Sequence, residues 1–305
     1  MQNDFTIQRA RPRIESIEGG LRVSAPAKIN LNLLVGPRRP DGFHQIDSYV
    51  AKVTLYDQVD LLRRDDGRIT LACEGLGCGP DEANLTLRAG RMLAETAGGA
   101  PGADVRLTKR IPPGAGLGGG SADAAAVLTG LASLWELSVP PAELAGLAAA
   151  IGSDVPLFLG PPAARLTGRG ELLTGLPPAP LLAVLFLPAA SCPTQEVYRA
   201  FDDAVPQPPP PADRQLPPEL LSAKPPSIWR DRLVNDLAAP AERVCPQMAR
   251  LRRRLATALG MRICVTGSGS GLFVLCDDEA EAARLWNAVP PDVRSICRVV
   301  GPNPW

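Results

Sequence analysis

Residues 112–126 read PPGAGLGGGSADAAA, with five glycines between Gly114 and Gly120. Glycine reaches φ > 0 at little cost and lets a ligand approach main-chain N–H groups closely. The stretch runs into ADAAAVLTGLASLWEL, rich in strong helix formers. Ser121 or Asp123 can cap that helix. Its first N–H groups are unpaired and its dipole is positive at that end, which suits phosphate. A glycine turn without a ligand is the plain alternative, but ordering so many glycines is entropically costly for a mere connector. Two familiar loop patterns fail. Gly114, Gly116 and Gly119 fit G-x-G-x-x-G, but that dinucleotide pattern needs a second strand with an acid about 20 residues on. SVPPAELAGLAAAIG follows instead and reads as another helix. No Lys follows the glycines, as a P-loop requires.

Four further places carry chemistry-bearing residues. Asp154 lies in the apolar run IGSDVPLFLG, where a carboxylate is costly unless paired or used. Either it caps a short helix at VPLFL, or it is a partly buried carboxylate that takes a proton or orients a hydroxyl. Lys28, in SAPAKINLNLLVG, either points to solvent on strand alternation or faces inward and needs an anion such as Asp154 or a phosphate. His44 is the only histidine and follows a Pro-Asp-Gly turn. It is either a surface residue or, with Phe43, a stacking face and hydrogen-bond edge for a flat ring. VTGSGSGLFVL, with Gly267, Gly269 and Gly271, is either a plain hairpin turn or a place of close backbone approach.

The elements that must position these groups follow from pattern. Candidate strands are LRVSAPAKINLNLLVG, QIDSYVAKVTLYDQVDLLRR and GRITLACEG, followed by a helix in NLTLRAGRMLAETAG. Val105 and Leu107 alternate with polar neighbours in a strand before the glycine loop. ARLTGRGELLTGL reads as a short hairpin. The texture changes at LPPAPL, and a second unit opens with the strand LLAVLFLP. A helix over AERVCPQMARLRRRLATALG, a strand MRICVTG, a strand GLFVLCD, a helix DEAEAARLWNAV and a strand RSICRVVG complete it. That order predicts an α+β fold. The expected domains are a flexible lead-in at 1–20, a first domain at 21–176 and a second at 177–305. The proline-dense segment 205–226 favours extended conformation, as a loop insertion rather than a docking peptide.

Composition bounds the partners. Lys+Arg and Asp+Glu both number 32 in 305 residues, so no net charge draws the chain to nucleic acid or an anionic membrane. Apolar runs such as LLAVLFL are too short to span a bilayer. Seven cysteines without a C-x-x-C argue against zinc. With no apolar signal core, a reduced, cytoplasmic chain is expected.

Taken together, PPGAGLGGGSADAAA and VTGSGSGLFVL resemble the glycine motifs of the GHMP family of small-molecule kinases. PAKINLNLLVGPRRPDGFHQI, LGGGSADAA, GSDVPLFL, the VYRAF segment and VNDL at 234–237 strengthen the resemblance. It runs from about Leu21 to Val300. These segments are most similar to the branch of that family whose alcohol substrate carries a cytidine diphosphate group and feeds isoprenoid synthesis. The resemblance implies an S5-like N-terminal and a ferredoxin-like C-terminal domain with the active site between them. It implies an ATP-dependent kinase, with Mg²⁺ and a small-molecule substrate, as monomer or homodimer. Asp154 would be the catalytic acid/base, with Lys28 beside it and Asn30 near the same hydroxyl. Pro113, Gly114, Ala115, Gly116, Leu117, Gly118, Gly119, Gly120 and Ser121 would hold ATP, Ser121 near the metal, and Asn84 would meet the ATP base. Phe43, His44 and Tyr198 would enclose the cytosine. Thr194, Gly267, Ser268 and Gly269 would complete the substrate site. The family usually has Tyr at Phe43, so the stacking face is kept and one polar contact is lost.

Overall fold

In the computed structural model the described residues are 5–78, 84–99, 101–177, 181–205, 207–223 and 225–305. The lead-in, expected to be flexible, contains two strands, β1 (Ile7–Gln8) and β2 (Ile14–Ile17). Each adds to an edge: β2 pairs with the start of the next strand, and β1 pairs with the last strand of the chain. Backbone groups that would otherwise need water are thereby paired.

The alternating runs then form long strands, β3 (Gly20–Arg38) and β4 (His44–Arg64), joined by the Pro-Asp-Gly turn. β5 (Ile69–Gly75), α1 (Leu85–Thr96) and β6 (Gly102–Lys109) follow. Next come α2 (Gly119–Leu134), α3 (Pro141–Ile151) and α4 (Val155–Leu159). The hairpin β7 (Ala163–Thr167) and β8 (Leu172–Gly175) closes a seven-stranded sheet, in which β2-β3-β4-β6-β5 run side by side and β7 pairs with β4.

The second sheet has the order β1-β12-β9-β11-β10. It contains β9 (Leu182–Phe186), β10 (Cys264–Val265), β11 (Leu272–Cys276) and β12 (Cys297–Val300). Its helices are α5 (Thr194–Ala204), the short α6 (Pro218–Ala223), α7 (Ala238–Val244), α8 (Pro246–Leu259) and α9 (Glu279–Ala288). The single helix expected over 241–260 is two. Pro246 cannot donate a helical hydrogen bond, so the chain breaks at Cys245 and restarts with Pro246 in the first turn.

The two sheets share an apolar layer that includes Ile29, Tyr49, Val53, Leu185 and Phe273. Helices α1–α4 cover the outer face of the first sheet, and α5 and α7–α9 that of the second. β3 changes face on the way. Val23 and Ala25 point to the α2 side, but after the register shift at Pro26/Ala27 it is Ala27, Ile29 and Leu31 that face the second sheet. At that irregularity the partner moves from Tyr56 to Val53, and beyond it Lys28 and Asn30 face α2 and α4.

The proline-dense stretch is not an extended insertion. It holds a 3₁₀ turn at Pro211–Arg214 and α6, and its Leu216 and Leu221 are buried in the shared layer. Tyr49 donates its hydroxyl to Leu216 O at 2.6 Å, and Asn32 donates to Gln215 Oε1 at 2.5 Å. Cys73 and Cys78 form a disulfide, which corrects the expectation of a fully reduced chain. The end of β5 turns back on itself there and brings the two within bonding reach. No helix among the described residues is long and apolar enough to cross a membrane.

Candidate active site

The glycine loop connects β6 to α2. Helix α2 starts at Gly119, and its N-cap is Gly118 in the left-handed region, with no side-chain cap. Neither Ser121 nor Asp123 caps it, contrary to expectation. Both lie inside a helix that opens at Gly119, Asp123 accepting from Lys109, and the first-turn N–H groups remain open to an anion. Residues 112–121 line a cavity of about 380 Å³, together with Asn84, Leu85, Thr86 and Lys109.

The second glycine cluster does not simply turn a hairpin. A Cβ on Gly269 would stand 2.1 Å from the Gly116 backbone N, and one on Gly116 would stand 2.1 Å from Thr266 O. The two glycine segments lie backbone against backbone, joined by Gly271 N–H to Ala115 O at 3.0 Å. Strand β3 holds the loop from the other side through Lys28 N–H to Leu117 O at 2.9 Å. Gly269 is therefore packed against the loop and does not line the substrate-side cavity, while Gly267 and Ser268 do. Replacing Gly269 with Ala should displace the loop and raise KM for ATP about tenfold or more, because loop backbone rather than a flexible side chain must move. Initial rates against ATP concentration test this, and an unchanged KM would mean the packing is not coupled to nucleotide binding.

A larger cavity of about 830 Å³ lies between the two sheets' helices. It meets the loop cavity at Leu85, Gly116, Gly118 and Ser121. Lys28, Asn30 and Asp154 line it near that junction. Asp154 occupies the N-cap position of α4, yet its side chain makes no cap bond. The capping alternative therefore leaves the carboxylate unassigned. Lys28 is buried and donates to Asn30 Oδ1 at 2.5 Å. Burial lowers its pKa, and the charge of Asp154 opposes that. Asn30 is filled by protein: its Nδ2 donates to Ser48 Oγ at 2.8 Å. It fixes Lys28 rather than presenting a free amide.

The base-reading residues differ from expectation in detail. Phe43 is 54% exposed, with the Arg169 guanidinium 5.1 Å from its ring centroid. His44 is buried instead of offering a free edge. Its Nδ1 is 2.9 Å from Gly36 O, and its Nε2 lies 2.8 Å from Asp202 Oδ1. Tyr198 stacks on His44 at 5.5 Å. Burial, then Asp154's charge, push the Tyr198 hydroxyl up to about 12. Thr194 Oγ1 and Ser268 Oγ are 2.8 Å apart, which ties α5 to the second glycine cluster. Asn84 lines the loop cavity, but its amide is occupied: Oδ1 accepts from Thr86 N–H at 2.9 Å and Nδ2 donates to Cys78 O at 3.3 Å.

Sequence reasoning missed Arg38, Arg169, Arg199 and Asp202 on the larger cavity. It also missed a buried triad below the loop, in which Lys109 Nζ meets Asp57 and lies 2.6 Å from Asp123 Oδ2. Lys109 follows Val105 and Leu107 on one strand face, so alternation signalled an inward lysine.

Residues 84–160 match the model of the GHMP kinases N terminal domain and residues 227–293 that of the GHMP kinases C terminal. A 4-diphosphocytidyl-2-C-methyl-D-erythritol kinase of Pelotomaculum thermopropionicum is 39% identical over 261 residues, covering 85% of this chain and 90% of its own length. The enzyme of that name from Brevibacillus brevis is 34% identical, covering 90% and 94%. A crystal structure of 4-(cytidine 5'-diphospho)-2C-methyl-D-erythritol kinase superposes with TM-score 0.72 at 36% identity, over 92% of this chain and 98% of that one. A homoserine kinase from Cytophaga hutchinsonii, 21% identical with TM-score 0.71 and covering 95% and 97%, shares the fold.

Proposed function

The chain belongs to the GHMP kinase family, and on that premise we propose that it transfers the γ-phosphoryl group of ATP to a hydroxyl of 4-diphosphocytidyl-2-C-methyl-D-erythritol. The observation that carries this reading is the meeting of two cavities at Gly116, Gly118 and Ser121, with Lys28 and Asp154 on the acceptor side. Phosphoryl transfer needs positioning and charge stabilisation more than covalent help. The uncapped N–H groups of α2 face the phosphates. Asp154 accepts the proton of the attacking hydroxyl. Lys28, held by Asn30, steadies negative charge at the transferring group.

No cluster of three or more metal-ligating side chains occurs among the described residues. The Ser121 hydroxyl at the cavity junction fits Mg²⁺, which keeps several waters and is held largely by phosphate oxygens. Bound there, it would neutralise charge on those oxygens. On the acceptor side, Phe43 offers a face to the cytosine, and His44 Nε2 becomes available if Asp202 exchanges its place with the base. Both substrates are charged small molecules that do not cross membranes unaided, which supports a cytoplasmic site of action.

The test is ADP release with Mg-ATP, comparing 4-diphosphocytidyl-2-C-methyl-D-erythritol with mevalonate and homoserine. Turnover with the cytidylyl compound alone is expected. Turnover only with another alcohol would keep the phosphoryl chemistry and overturn the substrate.

A further inference from the structure

Lys28 has a neighbour that the reaction does not call on. Its cross-strand partner on β4 is Lys52. Two like charges placed opposite each other are unfavourable, so this pairing needs a counterweight. Lys52 is 1% exposed. The described residues show no carboxylate bonded to its ammonium. Instead Nζ donates to Gly160 O at 2.8 Å and approaches Phe158 O at 3.5 Å. Arg13, a second cation, donates to the same Phe158 O at 3.4 Å. Burial, then the charge of Arg13, lower the Lys52 pKa to about 7. An ammonium buried among carbonyls alone is costly.

Those carbonyls are the C-terminal end of α4, where cations are favoured by the helix dipole. Helix α4 has five residues, a proline in its first turn and no side-chain N-cap bond. A helix this short is not stable by itself. Asp154 stands at its other end, roughly 8 Å away by helix rise. The two paired lysines therefore address the two ends of one short helix. Lys28 feels the charge of Asp154, and Lys52 grips the far carbonyls.

We propose that Lys52 is a positioning residue for phosphoryl transfer: by clamping the C-terminus of α4 it sets Asp154 against Lys28 and the acceptor hydroxyl. This rests on the kinase reading above. Freed of the clamp, α4 shifts as a unit and carries Asp154 with it, and small misplacements of a reacting group are expensive in rate.

The experiment compares wild type, Lys52→Met and Lys52→Arg by ADP release and by amide hydrogen exchange. Lys52→Met should lower kcat about ten- to a hundredfold. KM for both substrates should stay within about twofold, because ground-state binding is not what is lost. Exchange should accelerate across residues 155–160 and not across 119–134. Lys52→Arg keeps cationic donors and should recover most of kcat. Should Lys52→Met not fold, Lys52→Leu replaces it, apolar and shorter, with no donor for the α4 carbonyls. Wild-type kcat in the Met or Leu variant, or equal acceleration across α2 and α4, would overturn the proposal. A wild type without turnover would strike the kinase reading instead, and the exchange pattern alone would then decide whether Lys52 holds α4.

Discussion

Asp154→Asn should lower kcat by about a thousandfold, the scale of a lost general base, while the Kd for ATP stays near the wild-type value. The amide keeps the size of the carboxylate but cannot take the hydroxyl proton. Asp154 makes no capping bond, so the substitution should cost little stability. It also removes the charge that holds the Lys28 pKa up against burial. Lys28 in the variant should therefore lose its proton at a lower pH than in wild type, and the residual rate should decline with rising pH earlier. Single-turnover rates and nucleotide titration separate the two effects. A variant that turns over within tenfold of wild type would remove Asp154 from the chemistry.

The second large effect is on stability. Lys109→Met leaves Asp57, 0% exposed, and Asp123, 2% exposed, without their shared cation. Breaking a buried pair in this way costs about 3–5 kcal/mol. A fall in Tm of roughly 10 °C follows for a chain of this size. Asp57 keeps backbone donors at Arg110 and Ile111, which limits the loss. Asp123→Asn should be much milder. Burial, then the charge of Asp57, push the Asp123 carboxyl up to about 8, so the amide replaces a group whose charged form is already disfavoured there. A raised carboxyl binds more protons folded than unfolded, so stability falls as pH rises from about 4 through about 8. The Asn variant should flatten that slope. Denaturant melts of the three proteins between pH 5 and 9 check the ranking. A Met variant as stable as wild type would show that the triad contributes nothing.

The long strands, α2 and the glycine loop were legible because each is written in local sequence. Period-two alternation is uninterrupted through most of residues 20–64, and the alanine-rich run after Ser121 has one dominant preference. Asp154 was singled out because a carboxylate in an apolar run needs a reason. The capping assignment of Ser121 and Asp123 fails because the helix opens earlier, at Gly119 after the left-handed Gly118, which places both residues inside it. The free edge of His44 failed likewise: its partners Gly36 and Asp202 come from β3 and α5. The proline-dense strap was read by composition, which cannot register that Leu216 and Leu221 have an apolar layer to enter.

By itself the sequence determined the α+β order, the phosphate-ready loop and the presence of an acid and an amine, Asp154 and Lys28, set in apolar runs. Spacing along a chain sets backbone periodicity and turn chemistry, and those are short-range. Which glycine segment packs on which, and which lysine grips the helix carrying Asp154, were decided only by the tertiary structure. Backbone-on-backbone contact between Gly116 and Gly269 depends on distance in space, not on separation in sequence. The register shift at Pro26/Ala27 is what turns Lys28 to the working face, and such a bulge is invisible until the partner strand is in place.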